Sequence, residues 1–343
     1  MTTNTPTGGQ NVYATRCNAI RALFAVALLP LIWAIPLAPL AQTVDKMLHI
    51  GILSSGVLEN RRPLDEALVQ GLREQGYIEG KNLFIERRYS SSKLRDNASE
   101  LAGMKLDAIL TTCTPSTRIM KEATASTPIV MVAVSDPVRQ GIIASLARPG
   151  QNVTGTSSQA EELLAKRLEM LSSVIPKSTT IAVLANANNP VHALGWQRLE
   201  SAAQEINLKL LKVELSKSDD LPAAVNAAVR AQAGALFVMP DDPLMFNLRP
   251  QIVALAAQNR LPDFYWAREF VDSGGLMSYG ADLRSSYRAG AGYMEKIKKG
   301  ANPGELPVEQ PTRFELVINL KTAKALGLTI SQSLLVRADE VIQ

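Results

Sequence analysis

Histidine is nearly missing from this sequence: 343 residues contain two, His49 and His192. They are far apart and fall in different halves, too few and too distant for a histidine zinc site or a Ser-His-Asp arrangement. His49 reads as the start of a strand and His192 as a surface residue of a helix. Cysteine is equally scarce, with Cys17 and Cys113 alone. Cys113 has no evident base partner, so it reads as a small residue in a strand-to-helix turn rather than a nucleophile. No G-x-x-x-x-G-K-[ST] occurs, since the glycines of residues 76–81 have the wrong spacing, and no G-x-G-x-x-G follows the first strand. No Lys/Arg run and no basic-aromatic interleaving is present, which argues against a nucleic acid partner. Aromatics make up only 5%. These absences disfavour an enzyme and leave no metal and no cofactor to expect.

What is present is an ordinary soluble composition, 46% hydrophobic and 20% charged, long enough for about two domains. Residues 1–41 stand apart. Arg16 and Arg21 precede an apolar run over 22–40, and small residues follow at Ala38 and Ala41: the order of a secretory signal. The alternative is an uncleaved membrane anchor, since the run approaches the ~20 residues that span a bilayer. Pro30, Pro36 and Pro39 interrupt it and favour the signal, although Pro39 makes a poor cleavage site. Loss of the two arginines lowers the formal charge from +4 to +2. Cys17 lies before the apolar run, so it is no lipid-attachment site. Cleavage leaves Cys113 unpaired and excludes an internal disulfide.

From Met47 onward the chain alternates strand and helix. Strands are expected at 49–54, 82–89 and 108–112. The next, 129–134, is an all-apolar, Val-rich run of the kind buried on both faces of a parallel sheet. The helices between them are expected at 65–74, 96–104 and 116–125. A short helix over 138–146 and a β-prone piece over 152–156 follow. The second half repeats the theme with strands at 180–185, 208–215, 235–239, 263–266 and 275–279. Its helices fall at 161–174, 194–206, 221–232 and 246–259. Two βα series, separated near Gly155, predict an α/β protein with two mainly parallel sheets. A helix over 283–299, a strand over 313–320 and a helix over 320–326 complete the chain.

Ligands of open α/β sheets bind beyond the carboxyl ends of the strands. Polar residues gather there: Ser54 and Ser55 after the first strand, Thr112 and Thr114 after the third, and Ser135 and Asp136 after the fourth. Hydroxyls and free N–H groups at helix starts suit a carboxylate. Ordinary capping by Thr114 and Ser116 is the plainer reading of the same residues. In the second half Asn186, Asp241 and Tyr265 stand at strand ends, where Asp241 suits an ammonium group and an aromatic suits a planar or apolar side chain. Each alone also reads as a turn former, a helix cap or core. A zwitterion, an amino acid rather than a sugar, fits both walls.

Three runs resemble a known family: SLARPGQNVTG (145–155), REFVDSGGLMSYG (268–280) and LPVEQPTRFELVINLKTAKALGL (306–328). They are similar to the substrate-binding proteins of ABC transporters that include bacterial tryptophan and tyrosine binders. The resemblance implies a type I periplasmic-binding-protein fold of two Rossmann-like lobes closing on a ligand cleft at the hinge. Its lobes would be residues 47–156 with about 281–305, and 157–280 with about 306–343. The hinge would run near Gly155, Gly280 and 307–311. It also implies a periplasmic, extracytoplasmic monomer with a permease and an ATPase as partners. At matching turns it points to Thr112, Thr114, Ser135, Asp136, Ser157, Asn186, Asp241 and Tyr265 as ligand contacts. A ligand-sensing domain of a signalling system, and an enzyme on the same fold, remain alternatives. No helix-turn-helix precedes His49, which argues against a transcription regulator.

Overall fold

The computed structural model describes residues 47–343 apart from Ser91; the expected signal segment lies outside the described residues. The first series runs β1 (Leu48–Ser54), α1 (Leu58–Glu74), β2 (Leu83–Tyr89), α2 (Leu94–Ala102), β3 (Ala108–Thr111), α3 (Thr114–Ala123), β4 (Ile129–Val134) and β5 (Val153–Ser157). Its five strands are all parallel, in the order β2-β1-β3-β4-β5. Every residue of β3 and β4 is buried, as expected for apolar runs covered by helices on both faces.

The second series begins with α4 (Leu164–Ser172), β6 (Thr180–Asn186), α5 (Pro190–Glu205), β7 (Lys209–Leu215), α6 (Leu221–Arg230) and β8 (Ala235–Val238). It continues with α7 (Pro243–Asn247), α8 (Arg249–Gln258), β9 (Asp263–Tyr265), α9 (Arg268–Asp272) and β10 (Met277–Ala281). The chain then forms α10 (Leu283–Lys298), β11 (Phe314–Asn319), α11 (Leu320–Leu326), α12 (Gln332–Leu335) and β12 (Glu340–Ile342). The second sheet is ordered β7-β6-β8-β9-β10-β11-β12, with β11 antiparallel to β10. Its first five strands repeat the topology of the first sheet.

Helix α10 packs on α1 and on β3, β4 and β5, so the chain returns to the first sheet after β10. Gly71 makes this possible, because a Cβ there would stand 2.9 Å from that of Ala291. The chain changes sheets three times: after β5, after β10, and between α10 and β11. Gly155, beside the first crossing, has φ +129, and a Cβ would lie 1.9 Å from the Met131 carbonyl oxygen. Only glycine fits. Fully buried Arg167 ties two crossings together, donating through Nε to the Tyr279 carbonyl and through Nη1 to that of Ala160, both at 2.6 Å. Burial without a carboxylate partner pushes its pKa down to about 9. Arg167→Met leaves both carbonyls unsatisfied and is expected to cost about 2–4 kcal/mol. A urea midpoint equal to the wild type would rule this out.

Three helix expectations need correction. Residues 138–146 form turns, because Gly141 sits at φ +67 in mid-segment and Ile142 N–H bonds back to the Pro137 carbonyl. The helix expected over 246–259 is broken into α7 and α8 at Leu248. Pro250 has no N–H to reach the Phe246 carbonyl, and Arg249 Nη1 donates to that oxygen instead, at 2.9 Å. Helix α1 starts at Leu58 rather than 65, and the added residues, about two turns, bring Arg61 into the interior.

Candidate ligand cleft between the two lobes

In a doubly wound sheet the crevice opens where strand order reverses. In the first sheet that is between β1 and β3, and in the second between β6 and β8. The two reversal points meet. Thr114 Oγ1, on the first turn of α3, donates to Asp241 Oδ2 at 2.9 Å, from one lobe to the other.

On the first wall the hydroxyls mostly hold each other. Thr112 Oγ1 donates to Ser54 Oγ at 2.9 Å, and Ser55 Oγ lies 3.5 Å from Cys113 Sγ. Thr112 N–H donates to Ser116 Oγ at 3.2 Å. On the second wall Asp242 caps α7, its Oδ1 accepting from Met245 N–H at 2.9 Å. Its Oδ2 accepts from Asn186 Nδ2 at 2.9 Å and Asn189 Nδ2 at 3.0 Å. That leaves Asp241 facing the other lobe, held at φ +55. Burial pushes its pKa up to about 7; the Thr114 hydroxyl and the Ser135 N–H work against that rise, while Glu161 and Asp242 add to it.

His192 builds this wall from behind and is not the surface residue expected. It is buried, and its Nδ1 accepts from Asn186 N–H at 2.9 Å. The proton therefore sits on Nε2, which donates to the Pro240 carbonyl at 2.9 Å. The ring thus joins the ends of β6 and β8, and burial lowers its pKa.

Between the walls lies a cavity of about 20 Å³, lined among others by Arg61, Thr112, Asp241, Phe246, Trp266 and Tyr287. That is room for about one water. Arg61 is 4% exposed, donates through Nη1 to Tyr287 Oη at 3.2 Å, and stacks 4.9 Å above the Phe246 ring. Its Nε and the Nε1 of Trp266 are buried without a hydrogen-bond partner. A second cavity, of about 180 Å³, is lined by Ser135, Asp136 and Ser157 together with Glu161 and Arg198.

Residues 60–342 match the ABC transporter substrate binding protein family. The chain belongs to that family. A relative, the tyrosine-binding protein of Clostridioides difficile, is 30% identical over 290 residues, 82% of each chain. An ABC domain from Streptococcus pneumonia, solved with L-Trp, is 25% identical with a TM-score of 0.78, covering 87% of this chain and 100% of that one. A ligand-free, open substrate binding protein with adhesive properties from Clostridium difficile is also 25% identical; its TM-score is 0.61, covering 86% and 99%. The fold is the two-lobed type I periplasmic-binding-protein fold. At equal identity the chain superimposes more closely on the L-Trp complex than on the ligand-free, open protein.

In this substrate-binding protein the residues expected at strand ends sort into groups. Thr112 and Asp241 line the small cavity, while Ser135, Asp136 and Ser157 line the larger one. Ser54 and Ser55 are buried behind the first wall and are not among its lining residues; Thr114 spans the lobes, and Asn186 braces Asp242. Tyr265 is a correction. It is 0% exposed, donates to Asp263 Oδ2 at 2.7 Å and stacks on Phe270 at 4.5 Å, so it is core. Its neighbour Trp266, just past the end of β9, lines the cavity, although both rings pack against Phe270. Arg61, Phe246 and Tyr287 were not anticipated. Arg61 is the residue a signal existed for, an arginine on the first turn of the helix after β1, near the ligand-facing strand ends.

Proposed function

We propose that this protein captures an aromatic or large apolar amino acid between its lobes and delivers it to an ABC permease outside the cytoplasm. One observation carries the reading: a buried guanidinium, Arg61, and a buried carboxylate, Asp241, line one cavity together with Phe246 and Trp266. A zwitterion needs that pair of charges, and an aromatic side chain suits the rings. Arg61 takes the ligand carboxylate, a role expected of the hydroxyls at Thr112, Thr114 and Ser135. Ser54 and Thr112 already bond one another, and Thr114 bonds Asp241. The ligands named for the tyrosine-binding relative and the L-Trp complex support the same class. Signal-like residues 1–41 support export. Among the described residues no group of three His, Cys, Asp or Glu is placed to hold a metal, and no helix is long and apolar enough to cross a membrane.

Mass spectrometry of ligand released from denatured protein, followed by calorimetry with the identified compound, tests the reading. A sugar or an inorganic ion in that extract would sink it. Fluorescence offers a second check. Trp266 lines the cavity, whereas Trp196 packs on the other side of the second sheet. L-Tyrosine is expected to change the emission of the wild type and of Trp196→Phe, but not of Trp266→Phe. A change retained in Trp266→Phe would place the ligand elsewhere.

A further inference from the structure

On the reading above, in which the two lobes close on a ligand, they swing about the edge where the chain crosses between sheets, at β5 and β10. Strand β1 lies three strands in from β5, roughly 14 Å at the usual strand spacing. The ends of β1 and β8 therefore travel when the cleft opens, and contacts between them exist in the closed arrangement only. Three such hydrogen bonds join residues just after β1 to the α7–α8 junction. Asn247 Nδ2 donates to the Ser55 carbonyl at 3.3 Å, and Asn60 Nδ2 to the Asn247 carbonyl at 3.0 Å. Arg249 Nη2 donates to the Asn60 carbonyl at 2.9 Å. Neither Asn247 nor Arg249 lines the small cavity.

We propose that Asn247 and Arg249 form a latch that holds the lobes shut without touching the ligand. It sets how often the empty protein is closed, and so how tightly any ligand is retained. The break between α7 and α8 is what frees the Asn247 carbonyl to face the other lobe. Gly56 is the matching half. A Cβ there would stand 2.6 Å from Asn247 Oδ1, and its φ is not in the left-handed region, so an alanine meets a clash only when the lobes close. The inference rests on the reading above that the two lobes close on a ligand.

The test uses the exported protein and two variants, Asn247→Ala and Gly56→Ala, separately and combined. Small-angle scattering without ligand is expected to give a larger radius of gyration for each variant than for the wild type. L-Tryptophan and L-tyrosine are expected to bind about tenfold more weakly with a faster off-rate, in an unchanged order of preference, since a population shift taxes every ligand alike. In the Asn247→Ala background, Gly56→Ala is expected to add little, because its clash partner is gone. Equal radii for wild type and variants would overturn the latch, as would two effects that multiply. The scattering needs no ligand, so a failure of the amino acid reading shows separately, as an absence of binding to every form.

Discussion

Asp241→Asn is expected to weaken amino acid binding by about tenfold to a hundredfold while making the empty protein more stable at pH 8. The affinity loss follows from replacing a charge-assisted hydrogen bond to the ammonium by a neutral one, about 1.5–3 kcal/mol. The gain in stability follows from the same burial. Asp241 has a pKa near 7 in the closed empty cleft against 3.8 ordinarily. Between those values the folded protein holds a proton that the unfolded chain has released. Lowering the pH through that window therefore stabilises the empty protein, and above about pH 7 the penalty is complete. The gap of roughly three pH units corresponds to about 4 kcal/mol at most. Asp263 and Glu269 are buried and shifted upward in the same way, so the comparison is between variant and wild type, not along one pH curve. An ammonium group displaces the Asp241 proton. Wild-type affinity should accordingly fall as pH drops below 7, while that of Asp241→Asn stays flat from pH 8 to 5. Calorimetry at three pH values decides; an unchanged affinity at pH 8 would mean that Asp241 only closes the lobes through Thr114.

Arg61→Gln is expected to have the larger effect on binding, a loss of more than about a hundredfold. Burial works against the guanidinium charge, but Tyr287, Cys113 and Asp65 around it hold its pKa above the ordinary arginine value. It is therefore charged at every working pH. Removing one partner of a desolvated charge pair typically costs 2–5 kcal/mol. The substitution also takes away the stacking on Phe246 and the hydrogen bond to Tyr287. Two companion variants separate charge from packing. Arg61→Lys keeps the charge but loses the planar fork, and should recover part of the affinity. Tyr287→Phe keeps the ring, removes the acceptor that orients Arg61, and should cost only several-fold. Binding by Arg61→Gln within threefold of the wild type, with an unchanged thermal melt, would remove Arg61 from the site.

The alternation of apolar runs with amphipathic segments was enough to place both sheets, because strands such as Ile129–Val134 must be buried on both faces whatever their neighbours. Strand-end polarity singled out Thr112 and Asp241, which line the small cavity, since parallel sheets direct those ends to one side. Local signals were also overlooked. The break at Leu248 was foreshadowed by Pro250, yet the stabilising partner of the freed carbonyl is the side chain of Arg249. Residues 138–146 have a helical apolar pattern, but Gly141 breaks it and buries Ile142 and Ile143 in a loop.

What only the tertiary structure decided is which polar groups are spoken for. Hydroxyls at Ser54 and Thr112 are alike in sequence to any ligand-binding pair, and the Thr112 proton is taken by Ser54 because two strand ends 58 residues apart bring them within 2.9 Å. Tyr265 and Trp266 are adjacent and equally suited to stack on a ring. The end of β9 between them leaves the first on Asp263 and the second, already in the following bend, on the cavity. His192 gives no sign in the sequence of being the brace between β6 and β8, because its two partners are backbone groups, which any sequence supplies. Periodicity records how each segment meets water, so it determines sheets and helices. Pairing across 58 or 127 residues depends on where the chain returns, and that is settled only when the two lobes fold and close.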